Sequence, residues 1–557
     1  MTDVPLFLAL FQNPRTVIAS GLLLICLFLK NTTLLEGALS KGKRLSRRPI
    51  LASCVLFVLA LIAVVLPVVW KGAPIPFVHD EFSYLLAADT FASGRVANPA
   101  PPCSDSMESM HILVRPVYMS KYPPGQGLVL GLGQVLAGMP ILGIWIIHGL
   151  AVVGIYWMLQ AFVSSTWSFL GGLLVSIHPL MIEWSYGYWG GTLGVLGGAL
   201  LIGGAARIGT PRIISKSFAG ICFALGALIL ANFRPFEGFV LFALIALALF
   251  IHLKSKVFAG GWWRQAIPIL VLGSMCMGYY NWRVTGTPFR LPYEVHHSQY
   301  GAYPLFLFQR PWTKPVYFHK ELDRFYDHEQ RDLYMRRESG QTILRGLWYQ
   351  ATELSFAAFK PFYILALPLT VLPLILPRSR KVLLWSSILL MFMGMVFIET
   401  YMAAHYVSPV FPLLVALIVI SMNRALRWKS WGSSWLVRSV VVVYFFFASC
   451  WMKDFALATP SPSAWYIRRA HLQANWPMKF PGKHLFFVRY SFFHDTHKEW
   501  VYNGSDLENA SVIWVRDMDI EKNNCVLTGF PDRQAWIVNA DQFPVVPVCY
   551  SNFYSKR

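Results

Sequence analysis

The chain has 557 residues, of which 55% are apolar or aromatic and 14% charged, against about 25% charged in an ordinary soluble domain. The mean hydropathy of +0.48 is concentrated in long apolar runs between residues 16 and 452; this excludes a wholly soluble protein and indicates a polytopic membrane one. The formal net charge of +20 falls largely in the loops between those runs, and no soluble segment interleaves basic and aromatic residues, so a nucleic-acid partner has no support.

In chain order, spans are expected at residues 16–30, 50–70, 140–162, 167–182, 190–206, 218–232, 237–252, 265–281, 360–377, 382–399, 405–422 and 435–452, about twelve in all. Basic loops follow alternate spans: Lys41 to Arg48, Arg207 to Lys216, Lys254 to Arg264, Arg378 to Lys381 and Arg424 to Lys429. Basic residues mark the cytoplasmic side. Both termini and the loops 71–139, 283–349 and 453–557 are therefore expected on the outer face. The N-terminus lacks the basic region and small-residue cleavage site of a signal peptide, so the first span is expected to be retained. The apolar segment 125–138 is short for a span and is expected to be interfacial or re-entrant.

The first outer loop opens with HDEFSYLLAADTFASGR, whose Phe82, Leu85, Leu86, Ala88 and Phe91 recur at helical spacing and predict an amphipathic helix lying along the membrane surface. A loop over 96–110 follows, and Tyr122, Pro123, Pro124 and Gly125 break any helix there. After Met452 the composition changes. HLFFVRY, ASVIWVRD and QAWIVNAD predict short strands, with a helix between the last two over 519–527. The division is thus a membrane domain over 1–452 and a small soluble α/β domain with parallel strands over 453–557. Among the eight cysteines there is no CxxC pair, so a zinc or redox motif is not indicated. A disulfide between Cys525 and Cys549 is chemically permitted on the outer face.

Several residues have the right chemistry for a site. His79, Asp80 and Glu81 lie just beyond a span, as functional acids at the membrane surface do, or else simply cap a helix. Lys121 can bind a lipid phosphate as a point charge or anchor at the interface; Arg115 is a second, weaker cation. Arg234 is the one basic residue in the three short outer loops and either pairs with Glu237 or meets an anionic ligand. Asn281, Arg283 and Glu294, where a span enters the second large loop, can bind polar ligands. Tyr84 and Tyr122 join His79, Asn281 and Glu294 as substrate-binding candidates. The adjacent His296 and His297 point differently in any regular structure and make a weak metal site. His494, Asp495, His497 and Glu499 read as a solvated loop. Gly131 and Gly133 fail the dinucleotide pattern because Leu136 stands at the third position, and WGGTLGVLGGALLIGGAAR reads as close helix packing.

HDEFSYLLAADTFASG followed by SKYPPGQGLVLGLG resembles the polyprenyl-phosphate-dependent GT-C glycosyltransferases, specifically the protein O-mannosyltransferase and lipid A aminoarabinose transferase group. YNWRVTGTPFRLPY and HYVSPVFP are also similar to segments of bacterial members. The resemblance implies an all-α polytopic membrane domain of GT-C type. It places Asp80 and Glu81 at the catalytic centre, and Lys121, Pro123 and Pro124 in the lipid-phosphate segment, although Tyr122 interrupts the usual Lys-Pro-Pro order. The acidic pair follows the second span rather than the first, which an extra N-terminal span explains.

The reaction so implied moves one sugar, with inversion, from a polyprenyl-phosphate donor to an acceptor at the outer face of a bacterial plasma membrane. Asp80 is the expected base, and Glu81 orients the acceptor or binds a cation. Lys121 is expected to hold the phosphate, helped by Arg115, Arg234 or Arg283. No cofactor is required; a divalent metal is left open. The acceptor, whether protein, lipid or glycan, is not encoded. A transporter or flippase of a lipid-linked solute, and a membrane-anchored envelope assembly protein, are the competing readings. The former should show charged residues within spans and related halves, which are not evident.

Overall fold

The computed structural model describes residues 42–208, 216–254, 258, 260–338, 379–401, 403–425 and 433–554. The spans expected at 16–30 and 360–377 lie outside the described residues. Apolar helices form the bulk of what is described: α1 (Pro49–Lys71), α4 (Pro140–Leu159), α7 (Thr192–Ile208), α8 (Lys216–Ala231), α9 (Pro235–Leu253), α10 (Trp263–Thr285), α12 (Arg380–Val396), α13 (Phe411–Ala425) and α14 (Ser433–Leu457). Of the described helices, four are long and apolar enough to cross a membrane, or up to five if one bent pair counts as a span. Proline at the start of α1, α4 and α9 costs no helical bond there and pre-sets the backbone angle. Gly286, at φ 84°, closes α10.

The span expected over 167–182 is broken. It forms α5 (Ser165–Ser176) and α6 (Pro179–Ser185), bent by 54°. Pro179 cannot continue the hydrogen-bond ladder, and the imidazole of His178 instead accepts the N–H of Leu180 at 3.2 Å. The span expected from 405 begins as a 3-10 turn, Ala404–Val407, and becomes α-helical only at Phe411. The central core joins α1, α4, α5, α7, α8, α9, α12 and α13 through side chains such as Leu56, Ile155, Leu201, Leu241, Phe392 and Val419. The small residues of α7 act there as expected: a side chain at Gly198 would run into the backbone of Pro409.

The first large loop carries α2 (His79–Ala92), a small antiparallel sheet of β1 (Asn98–Pro99), β3 (Val117–Ser120) and β2 (Ile112–Leu113), and then α3 (Pro124–Ala137). Contrary to the expectation of a helix on the membrane surface, α2 is buried nearly all round. Phe82, Ser83, Tyr84, Leu86, Ala87, Ala88 and Thr90 are all covered. The reason is that protein lies on both sides of it. Gly127 and Gly131 of α3 press against Ala87, Ala88 and Phe91, while Phe82 and Leu86 enter the core of the C-terminal region. Helix α3 leaves Leu128, Leu132, Val135 and Leu136 exposed, an apolar face suited to an interfacial segment. The second large loop begins with α11 (Pro292–Tyr300).

Beyond α14, helix α15 (Trp465–Lys479) precedes a four-stranded sheet. Its order is β5 (Val512–Arg516), β4 (Lys483–Arg489), β6 (Arg533–Asn539) and β7 (Val548–Cys549). The first three strands are parallel and β7 is antiparallel. Helix α16 (Ile520–Gly529) joins β5 to β6, with Asp519 accepting the N–H of Lys522 at 2.8 Å as its cap. The core under this sheet is shared: Met107, Ile112, Val114 and Tyr118 of the first loop pack among Leu485, Phe486, Trp500 and Trp514. Cys525 bonds Cys103 of the first loop rather than Cys549, which is free. The fold of α16 against the loop, not proximity in sequence, decides the partner. The expected solvated cluster is also divided. Glu499 is fully buried, paired with Arg516 and accepting the Val501 N–H at 2.8 Å, and buried His494 bonds Asp541 at 2.7 Å. His497 and Asp495 remain exposed.

Candidate active site

Helix α2 places three consecutive residues in three environments. Its N-cap, Val78, is extended, so His79 turns toward the C-terminal region and bonds the Tyr502 hydroxyl at 2.7 Å. Glu81 turns inward. One oxygen accepts the N–H groups of Phe77 at 2.9 Å and Val78 at 3.3 Å, and the other accepts that of Tyr188 at 2.9 Å. Burial pushes this carboxyl up to about 7 against those bonds. Asp80, between them, is partly open and accepts the Tyr122 hydroxyl. Helix N-terminal dipoles favour negative charge at this end of α2.

Around Asp80 the chain gathers groups from four segments. Ser83, one turn along α2, bonds the His111 carbonyl at 2.7 Å and the Ser120 hydroxyl at 2.7 Å, which fixes the end of β3 just before Lys121. The Lys121 ammonium bonds His111 Nδ1 at 2.7 Å and lies 5.1 Å from the Tyr122 ring and 5.8 Å from that of Tyr293. Burial pushes Lys121 down to about 7; Asp80 opposes this and Arg234 adds to it. Tyr84 stacks on Tyr122 at 4.5 Å and Tyr293 meets Tyr122 edge-on at 5.3 Å. Gly125 brings in the turn before α9, its N–H donating to the Asn232 carbonyl at 2.8 Å. A side chain at 125 would stand 2.5 Å from that oxygen, so only glycine allows the approach.

That turn ends in Arg234, which is 7% exposed. Its guanidinium bonds His405 Nε2 and lies 3.9 Å over the Tyr406 ring. Glu237 is 3.8 Å away, a looser partner than the expected turn-closing pair.

Asp80, Lys121, Arg234, Tyr84 and Tyr122 are thus brought together, with His79 and Glu81 beside them. Other candidates are elsewhere. Arg115 pairs with Asp105 and is half exposed, next to Glu108 and Tyr300. Arg283 is exposed and donates to the Tyr279 hydroxyl at 3.4 Å. Asn281 is buried and donates to the Pro288 carbonyl at 3.2 Å, holding a turn. Glu294 is exposed in the first turn of α11. His296 and His297 do point apart, to Tyr326 at 3.2 Å and Trp312 at 4.2 Å.

Sequence reasoning missed His111, which lies at a two-residue strand with no periodic signal, and Tyr188, whose contribution is a backbone N–H. His405 and Tyr406 were within reach, since they open the HYVSPVFP segment. Among the described residues, the cluster with metal-ligand spacing is Asp323, Asp327 and His328. The Lys314 ammonium already stands 2.6 Å from Asp323 and 2.8 Å from Asp327. Neither Asp80 nor Glu81 belongs to that group, and the oxygens of Glu81 are already taken by backbone donors.

No family model matches the chain, and no curated protein matches it. Among solved structures it is similar to ArnT from Cupriavidus metallidurans bound to undecaprenyl phosphate, at 12% identity and a TM-score of 0.49, covering 88% of this chain and 92% of that one. It is also similar to the Archaeoglobus fulgidus oligosaccharyltransferase in complex with zinc and sulfate, at 10% identity and a TM-score of 0.48, covering 88% of this chain and 67% of that one. A further match is archaeal AglB from the same organism with an inhibitory peptide and a dolichol-phosphate, at 10% identity, a TM-score of 0.39 and 88% and 69% coverage. These likenesses are of overall shape; the functional reading rests on the residues around Asp80.

Proposed function

We propose that the chain is an integral membrane glycosyltransferase that moves a single sugar from a polyprenyl-phosphate donor to an acceptor hydroxyl, with inversion. The observation that carries this is the placing of one open carboxylate, Asp80, beside two half-buried or buried cations, Lys121 and Arg234, in an aromatic surround. A phosphate leaving group needs positive charge rather than an acid, and the acceptor hydroxyl needs a base. In this reading Asp80 takes the acceptor proton as the acceptor oxygen bonds the anomeric carbon. The carbon–oxygen bond to phosphate breaks, and the charge left on the phosphate is held by Lys121 and Arg234. The Tyr122 hydroxyl keeps Asp80 aimed until the acceptor replaces it. Tyr293, which is partly exposed, lines the sugar, and Tyr84 and His79 support the site from behind.

Glu81 is assigned no contact with substrate. Its three backbone partners make it the clamp that fixes the start of α2 to the loop before α7. Arg115 and Arg283 are left out of the phosphate site because the fold directs them elsewhere. The Cys103–Cys525 bond supports the outer-face reading for the first loop and the C-terminal region, since disulfides persist outside the cytoplasm.

Purified protein incubated with a panel of polyprenyl-phosphate sugars and a cell-envelope extract is expected to release polyprenyl phosphate from at least one donor. No release from any donor by a folded preparation, with the extract present, would count against glycosyl transfer and favour transport.

A further inference from the structure

We propose that His111 is a positioning residue: its neutral imidazole holds the Lys121 ammonium in place for an anionic phosphate without neutralising it. This rests on the glycosyl-transfer reading of the site. A half-buried ammonium is costly unless bonded. A carboxylate partner would satisfy it but cancel its charge. The nearest carboxylate, Asp80, is instead engaged by the Tyr122 hydroxyl, and Lys121 is bonded to His111 Nδ1 at 2.7 Å. With the Lys121 ammonium as donor, Nδ1 is the acceptor and the ring proton is assigned to Nε2.

The backbone is built to aim that ring. His111 adopts φ 65°, a conformation uncommon for a residue other than glycine and stored where surrounding bonds enforce it. Its N–H donates to the Tyr326 hydroxyl at 3.0 Å, and its carbonyl accepts the Ser83 hydroxyl at 2.7 Å and the Lys121 N–H at 3.3 Å. The ring is 8% exposed and wedged edge-on to His79, Tyr122 and Phe325. Arg234 repeats the device with His405, so both cations of the site are held by buried imidazoles. Burial and the adjacent cation keep His111 well below the usual histidine range, hence uncharged.

The test measures binding of undecaprenyl phosphate to the full chain in nanodiscs for wild type, Lys121→Ala, His111→Gly and His111→Asn, with thermal unfolding alongside. Glycine accepts φ 65° freely but removes the acceptor; asparagine tolerates that angle and offers an oxygen near the place of Nδ1. His111→Gly is expected to weaken binding about tenfold or more and, having lost the ring's packing, to unfold at a lower temperature while still folded at the assay temperature; His111→Asn is expected to stay within about threefold of wild type. A role confined to holding this backbone angle would leave binding by folded His111→Gly unimpaired, and a role confined to packing would lower the unfolding temperature without lowering affinity in the folded protein. Wild-type affinity in His111→Gly, alongside loss in Lys121→Ala, overturns the positioning role and leaves the phosphate site standing. Equal losses in folded Gly and Asn variants also overturn it. If Lys121→Ala binds as wild type does, the phosphate site itself fails and the proposal with it.

Discussion

Asp80 and Glu81 are neighbours of the same chemistry, yet the fold separates their roles. Three backbone donors enclose Glu81, while among the described residues Asp80 has the Tyr122 hydroxyl as its hydrogen-bond partner and an open side. Glu81→Ala leaves the buried Tyr188 N–H unpaired, at a cost of about 1–3 kcal/mol, and releases the partly exposed Phe77 and Val78 N–H groups, so it is expected to lower the unfolding temperature. An unchanged unfolding temperature would remove the clamp. Lys121 carries a pH signature. Its charged form is disfavoured by burial, so the ammonium is fully present only well below pH 7, is half present near that value and is lost as pH rises through it. Affinity for undecaprenyl phosphate, titrated from pH 6 to 9, is expected to fall across that window in wild type and to lose this dependence in Lys121→Ala. Rising affinity with pH would contradict the assignment.

At the scale of elements, the acidic helix was legible because HDEFSYLLAADTFA carries helical spacing and a carboxylate pair suited to a helix start. Its surroundings were not. The apolar stripe that suggests a lipid-facing helix is equally what a helix buried between α3 and the C-terminal core requires, and only the tertiary fold distinguishes them. The break at Pro179 was readable in principle from proline alone; the hydropathy of the run concealed it. Cysteine pairing was not readable, because Cys103 and Cys525 are 422 residues apart and meet only through the packing of α16 on the first loop. Mass spectrometry of non-reduced peptides is expected to find Cys103 joined to Cys525, with Cys549 open to alkylation; a Cys525–Cys549 peptide would contradict the fold of this region.

Across the whole molecule, the apolar helices and the C-terminal sheet are tied through the first loop, with Glu321 and Glu329 of the second large loop adding further bonds. Phe82 stacks on Tyr502 at 4.2 Å, buried Arg469 donates to the Trp500 and Tyr502 carbonyls, and Arg516 bridges Glu499, Glu321 and the Glu108 carbonyl. The parallel strands were legible as three β-branched and aromatic runs, but not this shared core, since nothing local in a strand records which helix covers it. A fragment of residues 453–557 therefore lacks part of its own core and is expected to show no cooperative unfolding by circular dichroism. A sharp transition would show that the region is an independent domain. The same construction puts His79, Asp80 and Lys121 at the junction, where His79 bonds Tyr502 of the C-terminal region.

The most direct test of the account is donor cleavage by Asp80→Asn in a preparation that still binds donor. With the donor identified by the panel assay, and acceptor present, Asp80 as the base predicts wild-type-like donor binding and a loss of polyprenyl phosphate release of at least about a hundredfold, the scale of a removed general base. Release within a few-fold of wild type would contradict it and move the base away from Asp80.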